Sequence, residues 1–593
     1  MRTSRKAALA LALAGVAQVT IGPALGQDRP ESILPPGFGD PTPAATPTPR
    51  ATPTDGVQTV QPLPPERSAG EPTPEPSPSD TPTPEPVDPA TLAFYELPPF
   101  ARQSLATVGP AGRDETGLTP DAFGQADGQY LQTLMRRLST PLPSRWMSIL
   151  LRRLLVSALD TPRNADGADF AAERAWLLLR MGESVGARAV VQGVDAANYT
   201  PKLYQVALDA MLATGDPGGL CPLADGGAAA TGERGWILAQ AMCAGLGGEP
   251  QRAAALVKDA RRRRVARGID LLLAQKVVGQ GASGRQSVTI EWDGVDKLTD
   301  WRWGLATATG VAVPDELMAA AGPALRLWQA LLPSVPAARR LAAADAAAAQ
   351  GVLSSEALVD LYAALNGAED APAAAETAAQ DLETAYADRS ADAREAAMAR
   401  LWGRDAAVPY QRLVLTARAA ARLPARAGRA DADRLVASML TAGLDRAAMR
   451  WRPVVTTGGD AWAMLTLADP DARGAVAYGD LAGYAGAGDA RAKQRLLFAG
   501  LAGLGRLSAD DTERAAQALD VRIGAENSWT RALDRAARDG EAGTVVLLCA
   551  TGMQTGSWRG VPPAALYRIV GALRAVGLTG EARMIAAEAL ARV

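Results

Sequence analysis

Two thiols carry the best-defined chemistry in this 593-residue chain. Cys221 and Cys243 stand before and inside neighbouring helical segments, and neither has the short-range partner of a metal knuckle. In an oxidising compartment such a pair forms a disulfide across a hairpin. The third cysteine, Cys549, follows Val545-Val546-Leu547-Leu548 and is expected as a buried free thiol. The chain has no histidine, which removes Ser-His-Asp and Cys-His nucleophile pairs and every His metal ligand. No lysine follows a glycine and none has serine three residues upstream, so the phosphate-loop and Ser-x-x-Lys signatures are missing. Asn164-Ala165-Asp166-Gly167 opens like a calcium loop. Ala175 stands where a bidentate Glu is needed, so a turn is expected. Paired carboxylates, as glycosidases use them, remain available. Glu291, Asp293, Asp296, Asp300 and Glu356 are candidates; their spacing singles out none, and such a cluster is usually a solvated acidic face. No cofactor or metal is implied.

Binding chemistry offers two clusters. Arg261, Arg262, Arg263 and Arg264, with Arg267, could hold phosphate or an acidic polymer. The same arginines sit at a helix C-terminus, where cations meet the dipole favourably. Trp292, Trp301 and Trp303 lie beside a break in the helical pattern and could line a groove for a sugar or peptide. Residues two apart cannot share a helix face, so at least one of these rings is expected to be partly exposed and the others to pack in the core. The formal net charge of −3 and pI of about 5.5 argue against a dedicated nucleic-acid binder. Lysine occurs only at positions 6, 202, 258, 276, 297 and 493, and that skew toward arginine fits high-GC coding.

The elements that must position these residues are Ala-rich helical hairpins with a recurring junction. Met181-Gly182-Glu183 leads to Ala187-Arg188, and Leu246-Gly247-Gly248-Glu249 leads to Arg252-Ala253. Gly486-Ala487-Gly488-Asp489 leads to Arg491, and Val576-Gly577 runs through Gly580-Glu581 to Leu590. In each, an apolar stretch stops at Gly, which tolerates a left-handed helix end, and an acid follows near the next N-terminus, where the dipole favours it. Such hairpins stack into α-solenoids. Ser144 is the expected N-cap of a helix over 144–158, with Trp146, Ile149, Leu150, Leu154 and Leu155 on its apolar face and Arg145, Arg152 and Arg153 on the other. Hairpin helices are expected over 170–180 and 187–192, 233–245 and 250–264, and from Pro562 to Val593, with a further helix at 200–214 opened by Thr200-Pro201. The period breaks at 279–299, where Val288-Thr289-Ile290 fits a short hairpin or a loop, and again at 451–460. These breaks divide the helical part into regions 91–280, 281–450 and 451–593.

Residues 1–26 read as a secretory signal peptide. Arg2, Arg5 and Lys6 precede a short apolar stretch, and Ala24-Leu25-Gly26 is a small-x-small cleavage site. Residues 27–90 are Pro/Thr-rich, as in Thr81-Pro82-Thr83-Pro84, and cannot bury enough apolar surface to offset chain entropy. The sequence therefore describes an all-α, α-solenoid protein behind a disordered tail, periplasmic or secreted, with no transmembrane span.

The hairpin series resembles tetratricopeptide-type repeats, and the layout resembles the exported, Ala-rich helical-repeat proteins of high-GC Gram-negative bacteria. It is also similar to the superhelical, non-catalytic part of soluble lytic transglycosylases, whose catalytic Glu-Ser pattern has no counterpart here. The Pro/Thr tail resembles antifreeze glycopeptide repeats in composition alone. These resemblances imply a non-enzymatic scaffold that binds a protein or cell-envelope polymer, and transfer no site residue. A glycan hydrolase working through paired carboxylates is the rival expectation. The export reading is checked by intact-mass analysis of the mature protein, which should begin at Gln27; a mass that includes Met1 would overturn it.

Overall fold

Ala-rich runs punctuated by Gly and Pro give helix almost everywhere, because Ala, Leu and Arg have the best helix propensities while Gly and Pro terminate each run. The computed structural model describes residues 98–281, 288–404, 408–429 and 431–593, and 28 α-helices supply nearly all of their regular structure. The expected leader (1–26) and Pro/Thr-rich segment (27–90) lie outside the described residues. The chain divides into two units. In the unit Gly37–Arg102 the described part is one 3-10 turn, Pro99–Ala101. The other unit contains every described residue from Gln103 to Val593.

That larger unit begins with α1 (Arg113–Thr116), α2 (Gly128–Arg137) and α3 (Arg145–Val156), then the hairpin α4 (Gly167–Met181) and α5 (Ser184–Gln192), then α6 (Pro201–Ala213). A two-residue strand on either side of α3, β1 (Thr107–Val108) and β2 (Leu159–Asp160), forms a small antiparallel pair. After the 3-10 segment Pro217–Leu223 come α7 (Ala224–Thr231), α8 (Arg234–Leu246), α9 (Pro250–Arg262) and α10 (Ile269–Gly281). The described part of the first break, 288–299, is loop. Beyond it lie α11 (Asp300–Ala308), α12 (Asp315–Ala320), α13 (Pro323–Ala330), α14 (Ala337–Gln350) and α15 (Ser355–Leu365). Two hairpins follow, α16 (Ala373–Ala387) with α17 (Ala391–Trp402) and α18 (Tyr410–Ala421) with α19 (Ala432–Thr441). Next are α20 (Asp445–Met449), α21 (Asp460–Ala468), α22 (Tyr478–Ala482), α23 (Ala490–Gly503) and α24 (Ala509–Leu519). The hairpins α25 (Ser528–Arg538) with α26 (Ala542–Gly552) and α27 (Pro563–Ala575) with α28 (Thr579–Ala591) come last.

The junction glycines behave as the pattern requires. Gly182 ends α4 at φ 89°, and a Cβ there would stand 2.5 Å from the Leu327 side chain. Gly351 ends α14 at φ 87° and is pressed against Arg145 O and Ile149 of α3, where a Cβ would be 2.9 Å from each. At these two positions the left-handed backbone and the close approach both demand Gly.

Stacked hairpins bury their apolar stripes on sequence neighbours, and here the far ends of the unit also meet. Besides α4 and α5, helix α3 packs against α14, α26 and α28. Ser144 caps α3 as expected, accepting from Met147 N at 3.0 Å. Its hydroxyl in turn donates to Glu588 of α28 at 2.5 Å, and Glu588 also accepts from the N–H groups of Arg145 (2.7 Å) and Trp146 (3.2 Å). The helical face carrying Arg145, Arg152 and Arg153, expected opposite the packed face, is itself covered. Arg145 is 0 % exposed and donates to the carbonyls of Ala348, Leu353 and Thr441, at or just beyond the C-termini of α14 and α19. Arg152 pairs with Glu183 at 3.0 Å and Arg153 with Glu581 at 3.3 Å. One helix is therefore packed from both sides, by hairpins drawn from the beginning, middle and end of the unit.

Removing one member of a buried ionic network leaves the others uncompensated, at a cost of roughly 3–5 kcal/mol. Glu588→Ala should lower the free energy of urea unfolding by that order. A loss below about 1 kcal/mol would show that the start of α3 is satisfied without it.

Candidate functional site

The disulfide forms where the spacing places it. Cys221, in the 3-10 segment Pro217–Leu223, is bonded to Cys243 of α8, with the Cα atoms 5.3 Å apart and 22 residues between them in sequence. Closing a loop of that size stabilises the hairpin by about 3 kcal/mol in the chain-entropy view. Cys549 is a buried free thiol, and burial pushes its ionisation up, which makes it a poor nucleophile.

The tryptophan cluster is mostly architecture. Trp303 is only 1 % exposed and packs its ring 5.7 Å from that of Trp328, so it offers nothing to a partner and belongs to the core; this corrects its place among the binding residues. Trp301 is half-buried and donates through Nε1 to the Asp270 carbonyl at 3.1 Å, while Arg302 forks onto the Asp270 carboxylate at 2.6 and 3.2 Å. Trp292, also half-buried, donates to the Ala312 carbonyl at 3.0 Å. Trp301 thus ties α11 to α10, and Trp292 ties the irregular break to the loop after α11. The Arg261–Arg264 run is exposed at the end of α9, and Arg262 and Arg263 both turn back onto Asp259, at 2.8 and 3.3 Å. Its geometry is that of a helix C-terminus neutralised by its own side chains.

Among the described residues the more exposed aromatics lie elsewhere, at Phe100, Tyr130 and Trp176. Trp176 of α4 is 37 % exposed, and the Arg180 guanidinium one turn on lies 4.2 Å from the ring centroid. Arg180 is held in place by the Leu138 and Met135 carbonyls, at 2.8 and 2.5 Å. A cation stacked on a solvent-facing indole is a preordered anchor. The signal was present in the sequence: Trp176 precedes the three leucines 177–179 and has Arg at i+4.

Among the proposed carboxylates, Glu291, Asp293 and Asp296 are exposed on the 288–299 loop, and Glu356 is exposed and paired with Arg418 at 3.3 Å. Asp300 differs. It is half-buried at the start of α11, and burial raises its pKa against the opposing charge of Lys297. Beside it stands Asp209 of α6, whose pKa is pushed up to about 7 by burial first, then by the charges of Asp300 and Glu233. Asp209 was not anticipated, although a lone acid within Val206-Ala207-Leu208-Asp209-Ala210-Met211 is the kind of interruption that marks a half-buried carboxyl. A second polar network centres on buried Asp460, which accepts from the Tyr484 hydroxyl, from Ala487 N at 3.1 Å and from Lys493 Nζ at 3.1 Å. These bonds fix the Gly486–Gly488 junction; a Cβ on Gly486 would overlap both Tyr484 and Asp460. Among the described residues no three His, Cys, Asp or Glu side chains are gathered as a metal ion would need.

No protein-family model matches the chain, and no curated protein is significantly similar to it. Function must be argued from the chemistry of its own residues.

The Asp209 shift has a definite sign. A carboxyl whose folded pKa lies above its ordinary 3.8 favours the fold while protonated, and stability is lost as pH rises from about 4 to about 7. Asp209→Asn removes that loss. The melting temperature of the variant relative to wild type should climb across this interval and level off above it, whereas a pH-independent difference would overturn the assignment.

Proposed function

We propose that this chain is a non-enzymatic, exported helical-repeat scaffold that binds a protein or a cell-envelope polymer. The observation that carries this reading is how its polar chemistry is distributed. The cysteine pair, Glu183, Glu581, Glu588 and Asp460 all hold helices or junctions together. What faces solvent on α4 is a tryptophan stacked by an arginine, the residue types that dominate binding energy at interfaces. A disulfide fits an oxidising compartment and so supports export. No helix among the described residues is long and apolar enough to cross a membrane. The slight net negative charge favours protein or polymer over nucleic acid as partner.

The rival reading, a glycan hydrolase with paired carboxylates, has one specific observation in its favour: Asp209 and Asp300 stand near each other with raised pKa values. Glycoside hydrolysis needs one protonated and one ionised carboxyl. Here burial pushes both the same way, and the charge of Asp300 raises Asp209 further, which favours the scaffold.

Trp176→Ala should weaken co-sedimentation with purified peptidoglycan, or cross-linking to an envelope partner, by roughly tenfold or more while circular dichroism stays unchanged. If instead Asp209→Asn or Asp300→Asn abolished a measurable glycan turnover with the fold intact, the hydrolase reading would replace the scaffold.

A further inference from the structure

An arginine-lined cavity lies in the C-terminal part of the chain, away from the aromatic anchor on α4. It has about 570 Å³ of open space, and its walls come from five places. Trp462 and Thr466 lie on α21, Asp469 to Val476 form the loop after it, Asp480 is on α22, and Arg452 and Arg506 follow α20 and α23. Arg473 stands exposed on the loop. Three arginines, Arg452, Arg473 and Arg506, thus border one space, and among the described residues none of them is in an ion pair.

Ordinary architecture explains only one of the three. The C-terminal carbonyls of α21 need donors, and Arg506 supplies them, bonding to the Thr466, Leu467 and Asp469 carbonyls. Arg583 donates to the Ala468 carbonyl while pairing with Asp445 at 2.9 Å. The helix end is therefore already capped, and Arg452 is not needed for it. Arg452 Nη1 is nonetheless buried without a hydrogen-bond partner, an expensive arrangement for a charged donor. Burial, and then repulsion from Arg583 and Arg452, depress the Arg506 pKa to about 10 despite the nearby Asp469. The acids on the wall offset the group only in part. Asp469 Oδ1 is turned into its own loop, accepting from Asp471 N at 2.9 Å, and Asp480 is exposed on a short helix. Val476 N donates to the Arg506 carbonyl at 2.8 Å, so the loop that carries Arg473 is tied to the wall that carries Arg506.

We propose that this cavity is an oxyanion site that takes a phosphate group, with Arg452 as its buried donor, Arg506 as its fixed wall and Arg473 as its solvent-side clamp. Three arginines around one space suit a tetrahedral, multiply charged anion better than a planar carboxylate, which one guanidinium satisfies through a single fork. The phosphate can be free or a monoester on a larger molecule; the recognition chemistry is the same.

Isothermal titration of the full chain at constant ionic strength, with inorganic phosphate, glycerol phosphate and acetate as probes, tests this. Saturable binding of phosphate with much weaker binding of acetate is expected. Arg473→Ala lies on an exposed loop and should keep the fold while weakening phosphate binding by about tenfold; Arg452→Gln should weaken it further, and Asp480→Asn should tighten it severalfold. Binding of both phosphate probes identifies a monoester on a larger ligand, and binding of inorganic phosphate alone identifies the free ion. Absence of saturable phosphate binding, equal affinity for acetate, or binding unchanged in both arginine variants would overturn the proposal. None of these outcomes bears on Trp176, so the scaffold reading is tested separately.

Discussion

The structure of the larger unit depends on one carboxylate. The first N–H groups of α3 are buried; Glu588, 444 residues beyond Ser144, accepts from two of them and from the capping hydroxyl. Arg145, the first residue of the same helix, projects onto carbonyls at the C-terminal ends of α14 and α19. One positive helix end and two negative ones are thereby brought together, and their partial charges are answered by an acid and a base from this node. Arg592 extends it, donating to Glu588 at 3.0 Å and to the Ala349 carbonyl at 3.2 Å, with its guanidinium 4.3 Å from the Tyr410 ring. Apolar burial supplies the bulk of the stabilising free energy, but it is non-directional. The polar node is what fixes which hairpins meet.

From this arrangement follows a division of roles among junctions that look alike. Glu183 and Glu581 stand after similar glycine stops, and they clamp consecutive arginines of α3 from opposite ends of the unit. Glu249 occupies the equivalent place after Gly248 yet pairs only with Arg252 on its own exposed helix. Asp489 caps its own helix through Ala492 N at 3.0 Å. Of these acids, Glu183 and Glu581 reach the arginines of α3, while Asp489 meets only the exposed Arg559, at 3.9 Å.

Much of the helical pattern was legible in the sequence because its causes are local. Thr200-Pro201, Ser144, the junction glycines and the Pro562-Pro563 start all act within one turn, and each marks a boundary that the structure contains. The Cys221–Cys243 bridge was legible because two thiols in one hairpin have few other options. The arginine face of α3 was not, since its partners lie hundreds of residues away and periodicity registers apolar faces, not buried cations. For the same reason Trp303 read as an anchor: its burial comes from Trp328, in a different helix, and not from the Trp301-Arg302-Trp303 triplet itself. Asp209 and the arginine cavity were hidden in the same way, being assembled from separate helices and loops.

A ribosome delivers a chain in order, and that order bears on the position of α3. This helix emerges more than four hundred residues before the carboxylate that completes its N-terminus. Arg152 meets Glu183 early, but Arg153 and the N-terminus of α3 stay without Glu581 and Glu588 throughout that interval, so the early hairpins wait in an unfinished state while the later ones are made. Contacts of such long sequence separation are slow to form, and unfinished apolar surface invites association with other chains. A chain broken off before α28 loses more than its last turns. It leaves the helix at its centre without the group that tells it where to begin.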